Sequence, residues 1–196
     1  MDLIFQQDNL QKQANKILSE LNLVEILSEI GEVKIVGSLA LGLMVWPDID
    51  IDVCLEEIKN EGYFKVVQYL FIQPNIKKLV ISDDRNLSED LKIRGIPQSI
   101  YLGVIYKIDE QEWKIDIRFV LSLLDRAEEY IKVTLPKLTA VNKEIILDIK
   151  NQLFLHPEYL NKKLSSVDIY NAVLDQGIKN ITEFKEYLYK KSGINL

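Results

Sequence analysis

The chain has 196 residues, 47% of them hydrophobic and 28% charged, with 24 lysines and arginines against 30 aspartates and glutamates. That apolar content at a net charge of −6 excludes an intrinsically disordered chain. It supports one domain, or one domain with a small appendage. A pI near 5.0 argues against the basic footprint of a nucleic-acid binder, so the expected partner is small, neutral or cationic. The longest charge-free stretch, Ile35 to Pro47, falls short of the ~18 apolar residues of a membrane span, and no membrane partner is expected. Met1-Asp2-Leu3 lacks the basic start of a signal peptide, and the lone Cys54 precludes an internal disulfide. Both point to a cytoplasmic setting.

In chain order, the pattern predicts a first helix capped by Asp8, with Leu10, Ala14, Ile17, Leu18 and Leu21 on one apolar stripe and Gly31 as a stop. Strands follow at Val33–Val36, Ile49–Leu55, Lys78–Ser82, Ser99–Lys107 and Glu112–Val120. The last two form a hairpin around Ile108-Asp109-Glu110. A helix over Tyr63–Ile72 is closed by Pro74, and Asp83–Pro97 reads as a polar loop or lid flank. Beyond Leu121 every periodic segment reads helical: Leu123–Val133, Pro136–Phe154, Val167–Asp175 and Ile181–Lys190. The expected fold class is therefore α+β: a mixed sheet of four to five strands with flanking helices, then a C-terminal helical bundle. The division falls between 1–121 and 122–196, with the helical part packed on the first.

Pro47-Asp48-Ile49-Asp50-Ile51-Asp52-Val53 carries the chemistry. Alternation in a strand places Asp48, Asp50 and Asp52 on one face and Ile49, Ile51 and Val53 on the other. Lys114-Ile115-Asp116-Ile117-Arg118 repeats the design, with Trp113, Ile115, Ile117 and Phe119 facing the core. Side by side, these strands crowd four carboxylates together. At ~7 Å and an effective dielectric near 20, each unscreened pair costs ~2 kcal/mol. A fold stable by only ~5–15 kcal/mol needs positive charge among them. Magnesium held by carboxylates, waters and nucleotide phosphates meets that need. Lys114 and Arg118 could meet it instead, as a solvated salt-bridged strand. A calcium-binding EF-hand is excluded, because Val53 stands where its glycine belongs and Lys59 where its final glutamate belongs. Val36-Gly37-Ser38 ends a strand ahead of Leu39-Ala40-Leu41, so backbone N–H groups and the Ser38 hydroxyl could cradle phosphate.

These motifs resemble the polymerase-beta-like nucleotidyltransferase superfamily: a hydrophobic residue with Gly-Ser, a spacer of roughly ten residues, then Asp-hydrophobic-Asp-hydrophobic, with a third acid on a later strand. Here these are Val36-Gly37-Ser38, Asp48-Ile49-Asp50-Ile51 and Asp116, within residues 30 to 120. In layout the chain is similar to small bacterial members, the minimal nucleotidyltransferases and the lincosamide- and aminoglycoside-modifying enzymes. The resemblance implies magnesium-dependent transfer of a nucleoside monophosphate from an NTP (ATP or GTP) to a hydroxyl of a small molecule or protein, with release of pyrophosphate. Asp48, Asp50 and Asp116 would be the catalytic acids and ligands of two magnesium ions. Gly37 and Ser38 would hold the β- and γ-phosphates. Arg118 or Lys114 would add a donor toward them, or would simply neutralise Asp116. Leu41 stands where many members carry a basic residue, and Pro47 precedes the first aspartate where serine is common. Two frames fit the acid pair, Asp48/Asp50 and Asp50/Asp52; the first is preferred because the second leaves only Val53-Cys54-Leu55 of apolar strand, and Asp50 belongs to both. Resistance-type relatives dimerise through their helical parts, which makes a homodimer an expectation. The competing reading is a non-catalytic protein of the same fold that binds a nucleotide or partner, in the manner of an antitoxin.

Other residues read as structural. His156 is expected to serve a helix C-terminus, and Cys54 to be a buried small hydrophobe on the strand face opposite the aspartates. Trp113 belongs in the core, and Trp46 is either core or a stacking surface near the nucleotide. Tyr101 and Tyr106 lie on opposite faces, so only one can line a cleft. Lys185, Glu186, Lys190 and Lys191 form a solvated helix face.

Overall fold

The structure, a computed structural model, describes residues 2–57, 60–86, 98–121, 127–161 and 163–196. Helix α1 (Leu3–Glu20) starts earlier than the sequence pattern indicates: Asp2, not Asp8, is its cap, accepting from the N–H groups of Ile4 and Phe5 at 3.0 and 3.2 Å. Asp8 lies inside the helix and accepts from the Gln7 amide instead. The predicted stripe holds, with Leu10, Ala14, Ile17, Leu18 and Leu21 all buried. A short helix, α2 (Leu23–Ser28), follows after Asn22 in the left-handed region.

Five strands form one sheet: β1 (Glu32–Val36), β2 (Asp48–Leu55), β3 (Ile76–Asp83), β4 (Ser99–Ile108) and β5 (Gln111–Leu121), in the order β1-β2-β5-β4-β3. β2 and β5 run parallel, and every other pair is antiparallel. Helix α3 (Gly37–Leu41) joins β1 to β2, and α4 (Asn60–Phe71) joins β2 to β3. Residues 87–97, most of the expected polar loop, lie outside the described residues, as do 122–126 at the start of the expected helix Leu123–Val133.

The helical remainder comprises α5 (Ala127–Thr134), a 3-10 turn (Leu135–Lys137), α6 (Ala140–Leu153), α7 (Pro157–Leu160), α8 (Ser166–Gln176) and α9 (Ile181–Ser192). The single helix expected over Pro136–Phe154 is broken, because Leu138 and Thr139 are extended and Thr139 caps α6 through Asn142 N–H. Ser165 and Asp168 form the reciprocal capping box of α8. His156 does not serve a helix C-terminus: its Nδ1 accepts from Glu158 N–H and caps the start of α7. Cys54 is buried as expected, but on the same strand face as Asp52 and Asp50, since β2 runs without a bulge and its even positions share one side.

One hydrophobic core joins α1, α2 and α4 to the odd-numbered face of β2 and β5, with Trp113 and Tyr106 inside it. A second core is built from α6, α8 and α9, and Leu41 and Leu43 of the α3–β2 segment insert into it. That segment is held from both sides. Gln6 and Gln11 of α1 donate to the carbonyls of Val45 and Leu39, and the fully buried Lys150 of α6 donates to Leu43 carbonyl at 2.6 Å. The entry of the chain into Asp48 is thereby fixed. Among the described residues no helix is long and apolar enough to cross a membrane.

Phe184, with no exposed surface in the second core, is the central support of the helical part. Phe184→Ala is expected to cost about 3–5 kcal/mol, read from urea unfolding of the full chain.

Candidate active site

The parallel register of β2 and β5 sets Asp48 opposite Lys114, Asp50 opposite Asp116 and Asp52 opposite Arg118. Side chains paired across a register share a face, so the four carboxylates and two cations lie on one side of the sheet. One ligand atom each of Asp48, Asp50 and Asp116 lies within 4.8 Å of the others. Asp52 is drawn away: Arg118 grips it with Nε at 2.8 Å and Nη2 at 3.3 Å, and its side chain is only 3% exposed. The structure therefore groups Asp48 and Asp50 with Asp116 and leaves Asp52 to Arg118. The cation in direct contact with Asp116 is Lys114, which donates to Asp116 Oδ2 while standing 3.9 Å from Asp48 Oδ1.

Gly37 opens α3 with φ +64°, and a Cβ there would collide with the Asp50 carboxylate. Both the backbone conformation and the close approach demand glycine. Ser38 follows at the start of the short helix, and with Gly37, Asp48, Asp50 and Arg118 it lines a cavity of about 540 Å³. The far wall comes from the helical part: Tyr130 and Ile131 of α5, then Ser165, Ser166, Val167 and Tyr170 around the start of α8. Sequence reasoning missed those wall residues. Ser165 and Ser166 immediately precede the helix expected from Val167, and nothing in their spacing ties them to β2.

Trp46 is half-buried. Its ring stacks on Phe154 at 6.0 Å and meets Tyr159 edge-on at 5.4 Å, while its indole N–H donates to Asp48 Oδ2 at 3.4 Å. It packs against the helical part and lines the cavity at once. Lys150 lies behind it, 4.8 Å from the ring centroid, and donates to the Tyr170 phenol at 3.0 Å. Burial holds its pKa down to about 7, against the pull of Asp48 and Asp50. Tyr101, on the face opposite the buried Tyr106, donates to Asp116 Oδ1 at 2.8 Å. Burial and that bond push its phenol up to about 12.

The carboxylates carry the cost of their crowding. Burial, then Asp48 and Asp116, push the Asp50 pKa up to about 7. Burial and Asp116 also raise Asp48, against the lowering effect of Lys114. Opposed by its own burial, Lys114 is nevertheless raised by Asp48 and Asp116. Asp48 Oδ1 is buried and accepts no hydrogen bond. A buried carboxylate oxygen that accepts no hydrogen bond, beside two further carboxylates, fits a hard divalent cation with oxygen ligands.

No protein-family model matches the chain, and no curated protein matches it. Solved structures do. The chain is similar to the Cid1 poly(U) polymerase bound to Mg and 3′-dATP, with 20% identity and a TM-score of 0.57 over 85% of this chain and 49% of that one. A cytoplasmic RNA terminal U-transferase matches at 19% identity and TM-score 0.58, over 85% of this chain and 48% of that one. A chain of the GLD-2–GLD-3 poly(A) polymerase complex matches at 10% identity and TM-score 0.54, over 98% of this chain and 64% of that one. The chain spans about half the length of the first two. Its fold, a mixed sheet followed by helices, is similar to the fold of these chains.

Two aspartates on one strand face should respond to truncation with opposite sign. Asp50→Ala removes repulsion and is expected to raise Tm in EDTA by about 2–4 °C. Asp52→Ala strands Arg118 and is expected to cost about 2–3 kcal/mol, below the figure for a fully buried pair because a third of the Arg118 side chain is in solvent. Because the folded pKa of Asp50 is about 7 against 3.8 unfolded, its stability contribution is present below about pH 4 and lost as pH rises through about 7. The advantage of Asp50→Ala over wild type should therefore grow between pH 4 and 7, read from paired melting curves. Lys150, lowered from 10.5 to about 7, acts in the separate window above neutrality.

Proposed function

We propose, from a chain with the nucleotidyltransferase fold, that this protein is an enzyme transferring a nucleoside monophosphate from an NTP to an acceptor hydroxyl, with pyrophosphate leaving. The convergence of Asp48, Asp50 and Asp116 beside Gly37 and Ser38 carries the reading. The three carboxylates would hold two magnesium ions, which supply charge neutralisation of the triphosphate and a lowered pKa for the acceptor hydroxyl. The backbone at Gly37 and the Ser38 hydroxyl would orient the β- and γ-phosphates, with Arg118 at the cavity wall as a further donor. The acceptor oxygen bonds to the α-phosphorus, the bond from that phosphorus to the β-bridging oxygen breaks, and the acceptor proton passes to the Asp116 carboxylate. Positioning and cations do most of the work, because the charge that develops lies on phosphoryl oxygens.

The donor is ATP or GTP in this reading, and the acceptor a small molecule or a protein. The net charge of −6 favours those acceptors over a polynucleotide, although solved structures of the same fold are a poly(U) polymerase and an RNA terminal U-transferase. A cytoplasmic setting belongs to the same reading, since the single cysteine offers no disulfide. So does a division of the chain between 121 and 122, which separates the two cores except for Leu41 and Leu43.

The test is incubation with each NTP labelled at the α-phosphate and a panel of aminoglycosides, lincosamides, protein acceptors and short RNAs, with magnesium or EDTA. Label should reach one acceptor class only with magnesium, and Asp50→Ala or Asp116→Ala should cut transfer by at least about 1000-fold. Stabilisation of the fold by nucleotide with no transfer to any acceptor would instead establish the binding-protein reading.

A further inference from the structure

Gly103 lies in the middle of β4 with an ordinary φ, so no turn or left-handed backbone accounts for it. Glycine inside a strand weakens the strand, and close approach by another group is the remaining reason for it. The approaching group is Tyr101, whose own ring lies back along β4. A Cβ at position 103 would meet the Tyr101 hydroxyl oxygen at 2.5 Å and its Cζ at 3.0 Å. The register explains why the ring takes that path: Gly103 stands opposite Asp116 and Tyr101 opposite Arg118, so Asp116 is the diagonal neighbour of Tyr101. A diagonal neighbour is ~7–8 Å away between Cα atoms, a span that the Tyr101 ring bridges by lying along β4 over Gly103. The phenol arrives at Asp116 Oδ1 at 2.8 Å.

Asp116 is thus held by two groups of different character. Tyr101 has one oxygen and is wedged over backbone. Lys114 has the other oxygen, is half-exposed on a flexible stem, and also stands 3.9 Å from Asp48 Oδ1. Lys114 thus stands between Asp116 Oδ2 and Asp48 Oδ1 and is the exchangeable partner there. We propose that Tyr101 is a positioning residue: by fixing Oδ1, and because glycine at 103 opens its path, it makes Asp116 present the single oxygen Oδ2 to a divalent cation shared with Asp48 and Asp50. This rests on the reading above that the three carboxylates bind such ions.

Direct binding of Mn²⁺ to the full chain, read by the EPR signal of free Mn²⁺, tests it without turnover. Tyr101→Phe and Gly103→Ala should each weaken Mn²⁺ binding by about 10-fold, the usual consequence of removing a partner that orients a metal ligand. The double variant should be no weaker than either single one, because both changes remove the same contact. In the labelled-NTP assay Tyr101→Phe should lower kcat with little change in the KM for NTP. A merely structural role would lower Tm in EDTA and leave Mn²⁺ binding alone. Wild-type Mn²⁺ affinity in Tyr101→Phe, or additive losses in the double variant, would overturn the proposal while the metal reading stands. A wild-type chain that binds no Mn²⁺ at millimolar concentration would overturn that underlying reading as well. Should Gly103→Ala fail to fold, Tyr101→Phe alone still decides, since it keeps the ring and removes only the donor.

Discussion

Parallel pairing of β2 with β5 forces like charges to face each other, and much of the site is a response to that constraint. A parallel ladder in this register sets Asp50 against Asp116, and no side-chain choice at either position escapes the repulsion while both remain aspartate. The odd-numbered residues on the same strands, from Ile49 to Val53 and from Trp113 to Phe119, lock the register. A slip by one residue would drive the acids into the core and expose the apolar face. Hydrophobic burial on one side of the sheet thus fixes the electrostatic strain on the other.

The protein meets this strain in three different ways along a single face. At Asp52 the charge is met by a bidentate arginine, with the aspartate side chain almost fully buried and a third of the arginine side chain in solvent. At Asp116 the cancelling lysine is half-exposed and shared with Asp48, so it can leave. At Asp50 no cation makes a direct contact among the described residues, and burial with two acidic neighbours leaves the carboxyl titrating near neutrality. Compensation is uneven along the face, and Asp50, which no cation contacts directly among the described residues, lines the cavity with Gly37 and Ser38. An edge-protecting aspartate ladder would be compensated evenly.

Most of the sheet, and the grouping of Asp48, Asp50 and Asp116, was legible in the sequence because both rest on period-two alternation, a local property. The preference for Asp48/Asp50 over Asp50/Asp52 rests on strand length, whereas the grip of Arg118 on Asp52 is a contact across 66 positions of chain that no local pattern reveals. Short elements escaped notice for a different reason. Helices α2 and α7 are six and four residues long, too short for a helical period to show. His156 was misread because a histidine before proline is as compatible with an N-cap as with a helix end, and only the extended backbone at His156 distinguishes them. Ser165, Ser166 and Lys150 reach the site through tertiary packing, and no local pattern marks them.

Lys150 shows how closely the helical part is bound up with the chemistry of the sheet. Its ammonium is fully buried, and its contacts are a carbonyl of the α3–β2 segment, a phenol of α8 and the Trp46 ring, none of which cancels charge. A buried lysine so held is costly unless negative charge lies within electrostatic reach, and Asp48 and Asp50 supply it. The same lysine fixes the segment that leads into Asp48. The carboxylates therefore make the charge in α6 tolerable, and α6 holds the carboxylates in place. Displacing the helical part would leave Leu41 and Leu43 without their core, Trp46 without Phe154 and Tyr159, and Asp48 without its indole donor. Although the acids all belong to the sheet, their geometry depends on both cores.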